Sequence, residues 1–426
     1  MGLLHARTMV FLHEFEYMTV TTLAGNSYSY SRNSNKIDIG VSKEQINEEN
    51  LIQPISFSTM PDVDTFVVCF TTKCNLRCTY CCYSGQYRNT RIHGSQSFSE
   101  KDTGQLLKFI DNIAASKPIH IMFYGGESLL EYNNIQIFVG KAKERWSEKV
   151  RFSISTNGTL LSQSVVDWIV KQHITLNVSI DGTQKYHDRY RKTSSNVGSF
   201  LNIYKSLVDI LLRYPTFFQE NVNLLMTVND ITDLAEIALD WDNDKLLKNK
   251  IPALVSIVAP NYSKGVPLEN EDSKKKILYQ LLQLYVQNPN NGVLKRFFDE
   301  ITLIWNERQI FPINDAITLP SCIPWNHKLY IDIDGSVGLC EKTCDNLRMG
   351  NIKEGIDWEA ANRIATQLYN VRKDRCGSCP ILRLCDICPT SLDLNEREMD
   401  IFCHNQIIKF RLQLLMFCEL AEKELI

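Results

Sequence analysis

Three cysteines are spaced closely enough in one short segment to share an inorganic cofactor. Residues 72–84 read Thr-Lys-Cys-Asn-Leu-Arg-Cys-Thr-Tyr-Cys-Cys-Tyr-Ser, which places Cys74, Cys78 and Cys81 at C-x3-C-x2-C spacing. Three thiolates in one loop can hold three irons of a cubic 4Fe-4S cluster and leave the fourth iron open to a small molecule. An open iron indicates chemistry rather than electron storage. Cys82 could instead supply a fourth sulfur to a tetrahedral zinc ion, so zinc is the alternative.

The distribution of the other cysteines also favours local metal sites. The chain has 14 cysteines, of which four lie from Cys74 to Cys82 and eight from Cys322 to Cys403. In a long chain without secretion signals, clustered cysteines more often bind metal or do redox chemistry than form disulfides. The stretch between the two groups contains no cysteine, which argues against a scattered disulfide framework. Cys69, Cys82 and Cys418 are expected to be structural residues in the core or near the site, since free cysteine is often buried.

The composition is that of a folded protein with no basic surface. The 426 residues are 44% hydrophobic and 22% charged, with a formal net charge of -3, which is ordinary for a globular chain of two or more domains. A near-neutral charge does not favour nucleic acid as a partner. The N-terminal residues lack a signal-peptide pattern, and the longest apolar stretches are too short to span a bilayer. We therefore expect a cytoplasmic protein with neither nucleic-acid nor membrane partners.

Six predicted strands alternate with helical segments from Thr65 onward. The strand candidates are Thr65 to Phe70, Ile119 to Tyr124, Val150 to Ser155, Ile174 to Ile180, Val222 to Val228 and Ala253 to Val258. This repeated order implies parallel strands with right-handed crossovers, and hence a closed or partly closed barrel. In such a barrel, functional loops lie at the carboxyl ends of the strands.

Four successive strands each end in a segment that could bind a ligand. The cysteine loop follows the first strand, Tyr124-Gly-Gly-Glu-Ser-Leu-Leu the second, Ser155-Thr-Asn-Gly-Thr the third and Ser179-Ile-Asp-Gly-Thr the fourth. A lone Gly-Gly-Glu is usually only a turn, because glycine suits tight backbone. Four such segments in order at the same edge of one sheet indicate a functional site. His187 and Asp188, a little further on, are expected to make a helix cap or core contact.

With these motifs in place, residues 65–262 resemble the core of the radical S-adenosylmethionine (SAM) superfamily. The resemblance implies an α/β fold, a partial (β/α)6 TIM-like barrel, with a catalytic 4Fe-4S cluster on Cys74, Cys78 and Cys81. It also implies that Tyr80 lies beside the adenine of SAM. Ser128 departs from the family, which often has proline after Gly-Gly-Glu, but no ligand role belongs to that position.

The same resemblance implies which residues hold the methionyl part and ribose of SAM. Gly125, Gly126 and Glu127 would bind the amino group, because glycine backbone permits close approach and a carboxylate pairs with an ammonium. Arg191 would meet the carboxylate. The contacts to ribose or the methionyl group would come from polar residues at two strand ends, namely Ser155, Asn157 and Ser179.

A second cysteine series follows near the C-terminus. It reads Cys322, Cys340, then Cys376-x2-Cys379-x5-Cys385-x2-Cys388, and finally Cys403. A zinc ribbon also uses paired C-x2-C knuckles, but they are normally separated by about a dozen residues or more, and here the gap is five. The order resembles the SPASM domain, which carries auxiliary 4Fe-4S clusters in peptide-modifying radical SAM enzymes.

The SPASM resemblance implies two auxiliary clusters. The outer one would be held by Cys376, Cys379, Cys385 and Cys403, and the inner one, nearer the active site, by Cys322, Cys340 and Cys388. The gap between Cys385 and Cys388 is two residues where the family commonly has three, and no cysteine lies just upstream of Cys322. The inner cluster would therefore keep an open iron or take Cys344 as its fourth ligand.

These features predict four regions along the chain. Residues 1–60 form an N-terminal hairpin or cap, residues 61–262 the radical SAM core, residues 263–310 a helical linker, and residues 311–426 a cysteine-rich SPASM domain with a C-terminal helix.

The function implied by the resemblance is modification of a ribosomally made peptide. The cofactor would supply a 5'-deoxyadenosyl radical that takes hydrogen from an unactivated carbon, and the oxidised substrate would then form a thioether or carbon-carbon cross-link. The expected partners are a peptide or protein substrate, an external electron donor and a separate leader-peptide recognition protein. The catalytic acid or base is not identified by the sequence.

Two alternatives to this peptide maturase stay open. The first is a sulfatase-maturation type enzyme that oxidises a protein cysteine or serine to formylglycine. That family places an acidic base after the second SPASM cysteine, and here Glu341 follows Cys340. The second is a non-catalytic iron-sulfur binding module, which the intact SAM-contact motifs disfavour.

Overall fold

The computed structural model describes most of the chain, and its largest element is one mixed β-sheet. The described residues are 17–31, 36–39, 56, 63–88, 90–114, 118–258, 264–307, 327–342, 347–377 and 379–426. The six predicted strands are confirmed, each within one residue at either end. They are β4 (Thr65–Thr71), β5 (Ile119–Gly125), β6 (Val150–Thr156), β7 (Thr175–Ser179), β8 (Val222–Val228) and β9 (Leu254–Ile257).

These strands pair in chain order, and every pair is parallel. The crossovers contain α1 (Thr103–Ala114), α2 (Tyr132–Trp146), α3 (Gln163–Lys171), α4 (Gln184–Tyr190), α5 (Phe200–Arg213), α6 (Pro215–Asn221) and α7 (Leu234–Asn243). The observed α/β architecture with a parallel sheet is therefore the predicted one. Parallel order brings the carboxyl ends of β4 to β7, and the motifs that follow them, to one edge.

The two faces of the sheet differ in character. Along β5, Ile121 and Phe123 are buried in the main hydrophobic core, whereas Met122 and Tyr124, which alternate with them, are only partly buried. The same alternation runs along β8. Since successive side chains point to opposite faces, one face is packed into the core while the other stays partly accessible. Ser155 and Ser179 are also partly buried.

The C-terminal region adds four strands to the same sheet, which the sequence did not predict. They are β10 (Lys328–Ile331), β11 (Ser336–Gly338), β12 (Arg348–Asn351) and β13 (Gly355–Ile356). The first of them, β10, pairs in parallel with β4, and the other three continue antiparallel to the edge of the sheet. The region predicted as a separate domain thus shares a hydrogen-bonded sheet with the barrel strands.

The N-terminal strands form a small sheet of their own. The predicted hairpin is β1 (Tyr17–Thr21) and β2 (Ser27–Ser31), and β3 (Lys36–Ile39) pairs with the second strand. The side chains of Thr22 and Tyr28 each donate to a Glu422 carboxylate oxygen, at 2.9 and 2.8 Å. This small sheet therefore contacts the C-terminal helix.

Four more α-helices follow the last of the six parallel strands. They are α8 (Glu271–Gln287), α9 (Gly292–Asn306), α10 (Trp358–Arg375) and α11 (Glu396–Glu422). Helices α8 and α9 lie in the predicted linker and pack against α7 and α11. Trp305 of α9 is fully buried, with its ring centroid 5.4 Å from that of Tyr30 and 6.4 Å from that of Phe417. No described helix is long and apolar enough to cross a membrane.

Trp305→Ala should destabilise the protein, because it removes the aromatic contact shared by β2, α9 and α11. The expected loss is about 3–5 kcal/mol in the free energy of unfolding, measured by urea denaturation followed by circular dichroism. Leu303→Ala is the matched control, since Leu303 lies on the same helix and is 50% exposed. Equal losses in the two variants would contradict a packing role for Trp305.

Candidate active site

The cysteine loop follows β4 directly and is shaped by hydrogen bonds to its own thiols. The backbone N–H of Leu76 donates to Cys74 Sγ, and that of Tyr83 donates to Cys81 Sγ, both at 3.4 Å. Burial raises the pKa of the Cys74 thiol to about 12. A thiolate at this position therefore needs nearby positive charge, which bound iron supplies.

The thiols of this loop are close enough to influence one another. Cys78 and Cys81 both contribute to the raised pKa of Cys74, after burial. Across the described part of the chain, no three or more His, Cys, Asp or Glu side chains are arranged to hold one metal ion. The ligands of a cubic cluster bind separate irons and need not approach so closely. The donor set fits a three-cysteine cluster of the kind predicted from the spacing.

The Gly-Gly pair lies directly against the cysteine loop. Gly126 N donates to Thr71 O, and Glu127 N donates to Lys73 O, both at 2.8 Å. Gly125 has φ +148°, and a Cβ at Gly125 or Gly126 would overlap the carbonyl oxygen of Thr71 or Lys73. Both glycines are therefore required by packing as well as by any ligand that approaches this backbone.

Glu127 is buried and its carboxylate is already hydrogen-bonded within the protein. Its oxygens accept from Thr156 Oγ1 and Asn157 N, each at 2.6 Å, and from Leu129 N at 3.1 Å. Burial raises the pKa of Glu127, and these donors oppose the shift. Because a carboxylate has about four lone-pair sites, one stays available for an ammonium group. The side chain thus also fixes the loop after β6.

Asn157 joins the loop after β6 to the cysteine loop. Its Nδ2 donates to Asn75 Oδ1 at 2.8 Å, and its Oδ1 accepts from Thr159 Oγ1 at 2.6 Å. Ser128 has a similar function, since its hydroxyl donates to Ser155 O at 2.8 Å. The role of Ser128 was missed, because the sequence shows only a missing proline and not the partner of the hydroxyl.

Tyr80, Asp181 and Arg191 form a buried polar cluster beside the cysteine loop. The Tyr80 hydroxyl donates to Asp181 Oδ2 and accepts from Arg191 Nη1 at 2.7 Å. Arg191 Nη1 lies 3.7 Å from the same carboxylate oxygen, and the guanidinium Nε is buried without a hydrogen-bond partner. An unpartnered buried N–H is costly, so its presence fits an additional acceptor such as a ligand carboxylate.

Asp181 was not predicted as a site residue, although it lies within the Ser-Ile-Asp-Gly-Thr motif. Its other oxygen accepts from Thr227 N at 2.9 Å, which ties the loop after β7 to β8. His187 Nδ1 accepts from Asp181 N at 3.2 Å, and Asp188 Oδ1 accepts from Phe200 N at 2.9 Å. The expectation of structural roles for His187 and Asp188 is therefore confirmed.

Four C-terminal cysteines come together where α10 ends and α11 begins. Cys376 ends α10, Cys403 lies on α11, and the connecting segment carries Cys379 and Cys385. Burial raises the pKa of Cys385 and of Cys403 to about 12, and the charge of Cys376 adds to both shifts. These are the residues predicted for the outer cluster.

The residues predicted for the inner cluster are less completely described. Cys388 accepts from Thr390 Oγ1 at 3.0 Å, and Cys340 Sγ accepts from Lys342 N at 3.4 Å. Cys322 and Cys344 lie outside the described residues.

Arg91 fastens the Cys340 segment to the cysteine loop. Its Nε donates to Glu341 O at 3.1 Å, and Tyr83 Oη donates to the same oxygen at 2.8 Å. The guanidinium lies 4.6 Å from the ring centroid of Tyr83 and 4.7 Å from that of Tyr330, and it pairs with Asp332 at 3.0 Å. Arg91 was not predicted as a site residue, because Asp332 and Glu341 lie far away from it along the chain.

The side chain of Glu341 is ionised and paired. Its Oε2 lies 3.0 Å from Lys328 Nζ. Burial acts to raise the pKa of Glu341, but Lys328, a backbone hydrogen bond and Lys342 together outweigh burial and hold the pKa below its usual range. A carboxylate in this state can accept a proton at neutral pH.

Comparison with known proteins finds a matching family model and several relatives. Residues 68–233 match the Radical SAM superfamily. The chain is 28% identical over 331 residues to a cysteine-type anaerobic sulfatase-maturating enzyme of Clostridium novyi, a match that covers 74% of this chain and 84% of the relative. It is 23% identical over 332 residues to the radical SAM cyclopropyl synthase TigE of Paramaledivibacter caminithermalis, covering 74% of this chain and 65% of that protein.

Solved structures give the same fold. Native anSMEcpe with bound AdoMet superposes with a TM-score of 0.60 at 18% identity, covering 83% of this chain and 98% of that one. The same protein with bound AdoMet and the Cp18Cys peptide gives a TM-score of 0.59, with the same identity and coverage.

Gly126→Ala should disrupt the site, because the new Cβ would overlap the backbone that leads into Cys74. We expect iron bound per chain and SAM affinity to fall together, measured after anaerobic reconstitution by iron analysis and equilibrium dialysis. Gly140→Ala is the matched control, since a Cβ at Gly140 of α2 meets no atom within 4 Å. Normal iron content and SAM affinity in Gly126→Ala would contradict the close-approach argument.

Proposed function

Because residues 68–233 form a radical SAM domain and the chain is homologous to anaerobic sulfatase-maturating enzymes, we propose that it modifies a peptide or protein substrate by removing hydrogen from an unactivated carbon. The leading product is a thioether or carbon-carbon cross-link in a ribosomally made peptide. The observation that carries the SAM-dependent chemistry is the buried, unpartnered Arg191 Nε beside a three-cysteine loop.

The chain's own residues would divide the binding of SAM among them. Cys74, Cys78 and Cys81 hold the catalytic 4Fe-4S cluster, Arg191 pairs with the methionyl carboxylate, and Glu127 offers its remaining acceptor site to the amino group. Gly125 and Gly126 present backbone, while Ser155, Asn157 and Ser179 border the ribose and methionyl group. When bound, the cluster and SAM together supply a carbon-centred radical that removes hydrogen.

The second cysteine series would hold two auxiliary clusters. Cys376, Cys379, Cys385 and Cys403 suit the outer one, because their thiols are buried and influence one another. Cys322, Cys340 and Cys388 would ligate the inner cluster, and its fourth iron would be ligated by Cys344 or stay open. Oxidising a substrate carbon releases electrons, so the proposal includes an acceptor within the protein and an external electron donor for the catalytic cluster.

A peptide or protein substrate is supported by the relatives. The Clostridium novyi protein is a cysteine-type anaerobic sulfatase-maturating enzyme, and one solved neighbour has both AdoMet and a peptide bound. A separate leader-recognition protein would select the peptide. The accessible face of the sheet offers polar side chains to such a substrate.

Formylglycine formation is a second candidate, favoured by Glu341. Its carboxylate is ionised and its segment is fastened to the cysteine loop by Arg91 and Tyr83. Glu341 would take the proton from the thiol or hydroxyl of a substrate cysteine or serine as the adjacent carbon loses its hydrogen.

The proposed chemistry predicts reductive cleavage of SAM that depends on the first three cysteines. After anaerobic reconstitution with a strong reductant, the protein should form 5'-deoxyadenosine, measured by liquid chromatography. The Cys74/Cys78/Cys81→Ala variant should form none above background, because it lacks all three ligands of the open cluster. Cys418→Ala, which changes a buried cysteine of α11, should retain cleavage. Cleavage by the triple variant, or none by the parent, would contradict the proposal.

The formylglycine candidate predicts a role for Glu341 in turnover of a sulfatase-motif peptide that carries cysteine. Glu341→Gln should lower aldehyde formation, followed by mass spectrometry, by about 100-fold or more while 5'-deoxyadenosine still forms. Lys328→Met removes the charge that lowers the Glu341 pKa, so the acidic limb of the rate profile should move to higher pH. An unaltered rate in Glu341→Gln would exclude this candidate, and no aldehyde from the parent would favour the cross-link.

A further inference from the structure

We propose that the Tyr80 hydroxyl and the Asp181 carboxylate are positioning groups that hold the Arg191 guanidinium ready for the carboxylate of SAM. On this proposal, Tyr80 acts through its hydroxyl rather than through contact of its ring with adenine. The inference rests on the assignment of Arg191 to the SAM carboxylate under the proposed function. It adds Asp181, to which the motif comparison gave no role.

The geometry shows that the hydroxyl bridges two charges. Tyr80 Oη donates to Asp181 Oδ2 and accepts from Arg191 Nη1 at 2.7 Å. The direct separation of Arg191 Nη1 and Asp181 Oδ2 is 3.7 Å, which is too long for a hydrogen bond. The hydroxyl therefore transmits the position of the carboxylate to the guanidinium.

Asp181 is itself held in place by the barrel. Asp181 is only 2% exposed. Its Oδ1 accepts from Thr227 N of β8 at 2.9 Å, and its backbone N–H donates to His187 Nδ1 at 3.2 Å. Thus one strand holds the carboxylate of Asp181, and one helix holds the backbone N–H of the same residue. A rigidly held partner is what a positioning role requires.

The Arg191 guanidinium has an unused hydrogen-bond donor at Nε. Arg191 has a side chain 9% exposed, its Nη1 is directed to Tyr80, and its Nε is buried without a partner. An isolated buried arginine would need a full counter-charge. Asp181 provides one at a distance that does not use up the Nε–H, so a second carboxylate can bind there.

The alternative is that the Tyr80 ring only stacks on adenine or packs on protein. Its one described ring neighbour is Tyr190, with centroids 6.2 Å apart. Stacking depends on the ring and not on the hydroxyl. Tyr80→Phe keeps the ring and removes the bridge, so it separates the two roles.

The test compares two ligands that differ only in the carboxylate. Dissociation constants for SAM and for decarboxylated SAM are measured by equilibrium dialysis on the anaerobically reconstituted protein. Tyr80→Phe should weaken SAM binding by about tenfold or more and leave decarboxylated SAM unchanged, and Asp181→Asn should do the same. Tyr190→Phe is the matched control, because the Tyr190 hydroxyl contacts Arg189 and should affect neither ligand.

The outcomes separate this inference from the function on which it rests. If Tyr80→Phe weakens both ligands equally, or neither, the positioning role is overturned. Arg191→Lys tests the underlying assignment, since it should also weaken SAM selectively. If Arg191→Lys selectively weakens binding of SAM and Tyr80→Phe does not, only the positioning role is overturned. No selective loss in Arg191→Lys would remove the assignment itself.

Discussion

The close approach of two backbone segments is the constraint on which the site depends. The end of β5 can reach the segment that leads into Cys74 only because Gly125 and Gly126 have no side chains. The resulting hydrogen bonds from Gly126 and Glu127 set the cysteine loop on the edge of the sheet. With the loop placed, Cys74, Glu127, Arg191 and Cys78 lie close enough for their charges to influence one another's pKa values. A methyl group at either glycine would separate the cysteine loop from the Gly-Gly-Glu motif.

Buried polar contacts then fix each part of the site to the next. Glu127 orders the loop after β6, Asn157 ties that loop back to Asn75, and Tyr80 joins Asp181 to Arg191. Most of these groups lie in low dielectric, where satisfied hydrogen bonds are strong and unsatisfied ones are costly. The unpartnered Arg191 Nε is an exception among the described side chains of this network, which is why it points to a ligand. Burial also raises the pKa of the Cys74 thiol, so a thiolate there needs the positive charge that bound iron supplies.

The sequence predicted the barrel strands well, because their apolar runs are bounded by turns and each strand repeats the same pattern. The position of the motifs at one edge of the sheet was also predicted, because the carboxyl ends of parallel strands lie at the same edge. The sequence did not predict that Lys328–Ile331 would pair with β4, because a four-residue strand carries little signal and its partner lies far away in the chain. Asp181 and Arg91 were missed for a related reason, since their importance comes from partners on other segments. The roles of Tyr80 and Glu127 needed hydrogen-bond directions, which no motif contains.

We expect SAM to bind the open iron of a cluster held by Cys74, Cys78 and Cys81, with its carboxylate next to Arg191. The most direct measurement is electron-nuclear double resonance on the reduced, reconstituted protein with SAM labelled at the amino nitrogen and the carboxylate oxygen. Direct coordination should give hyperfine coupling of both labels to the cluster. The triple cysteine variant should lose that signal. A cluster that shows no coupling to either label, with SAM bound, would contradict direct coordination.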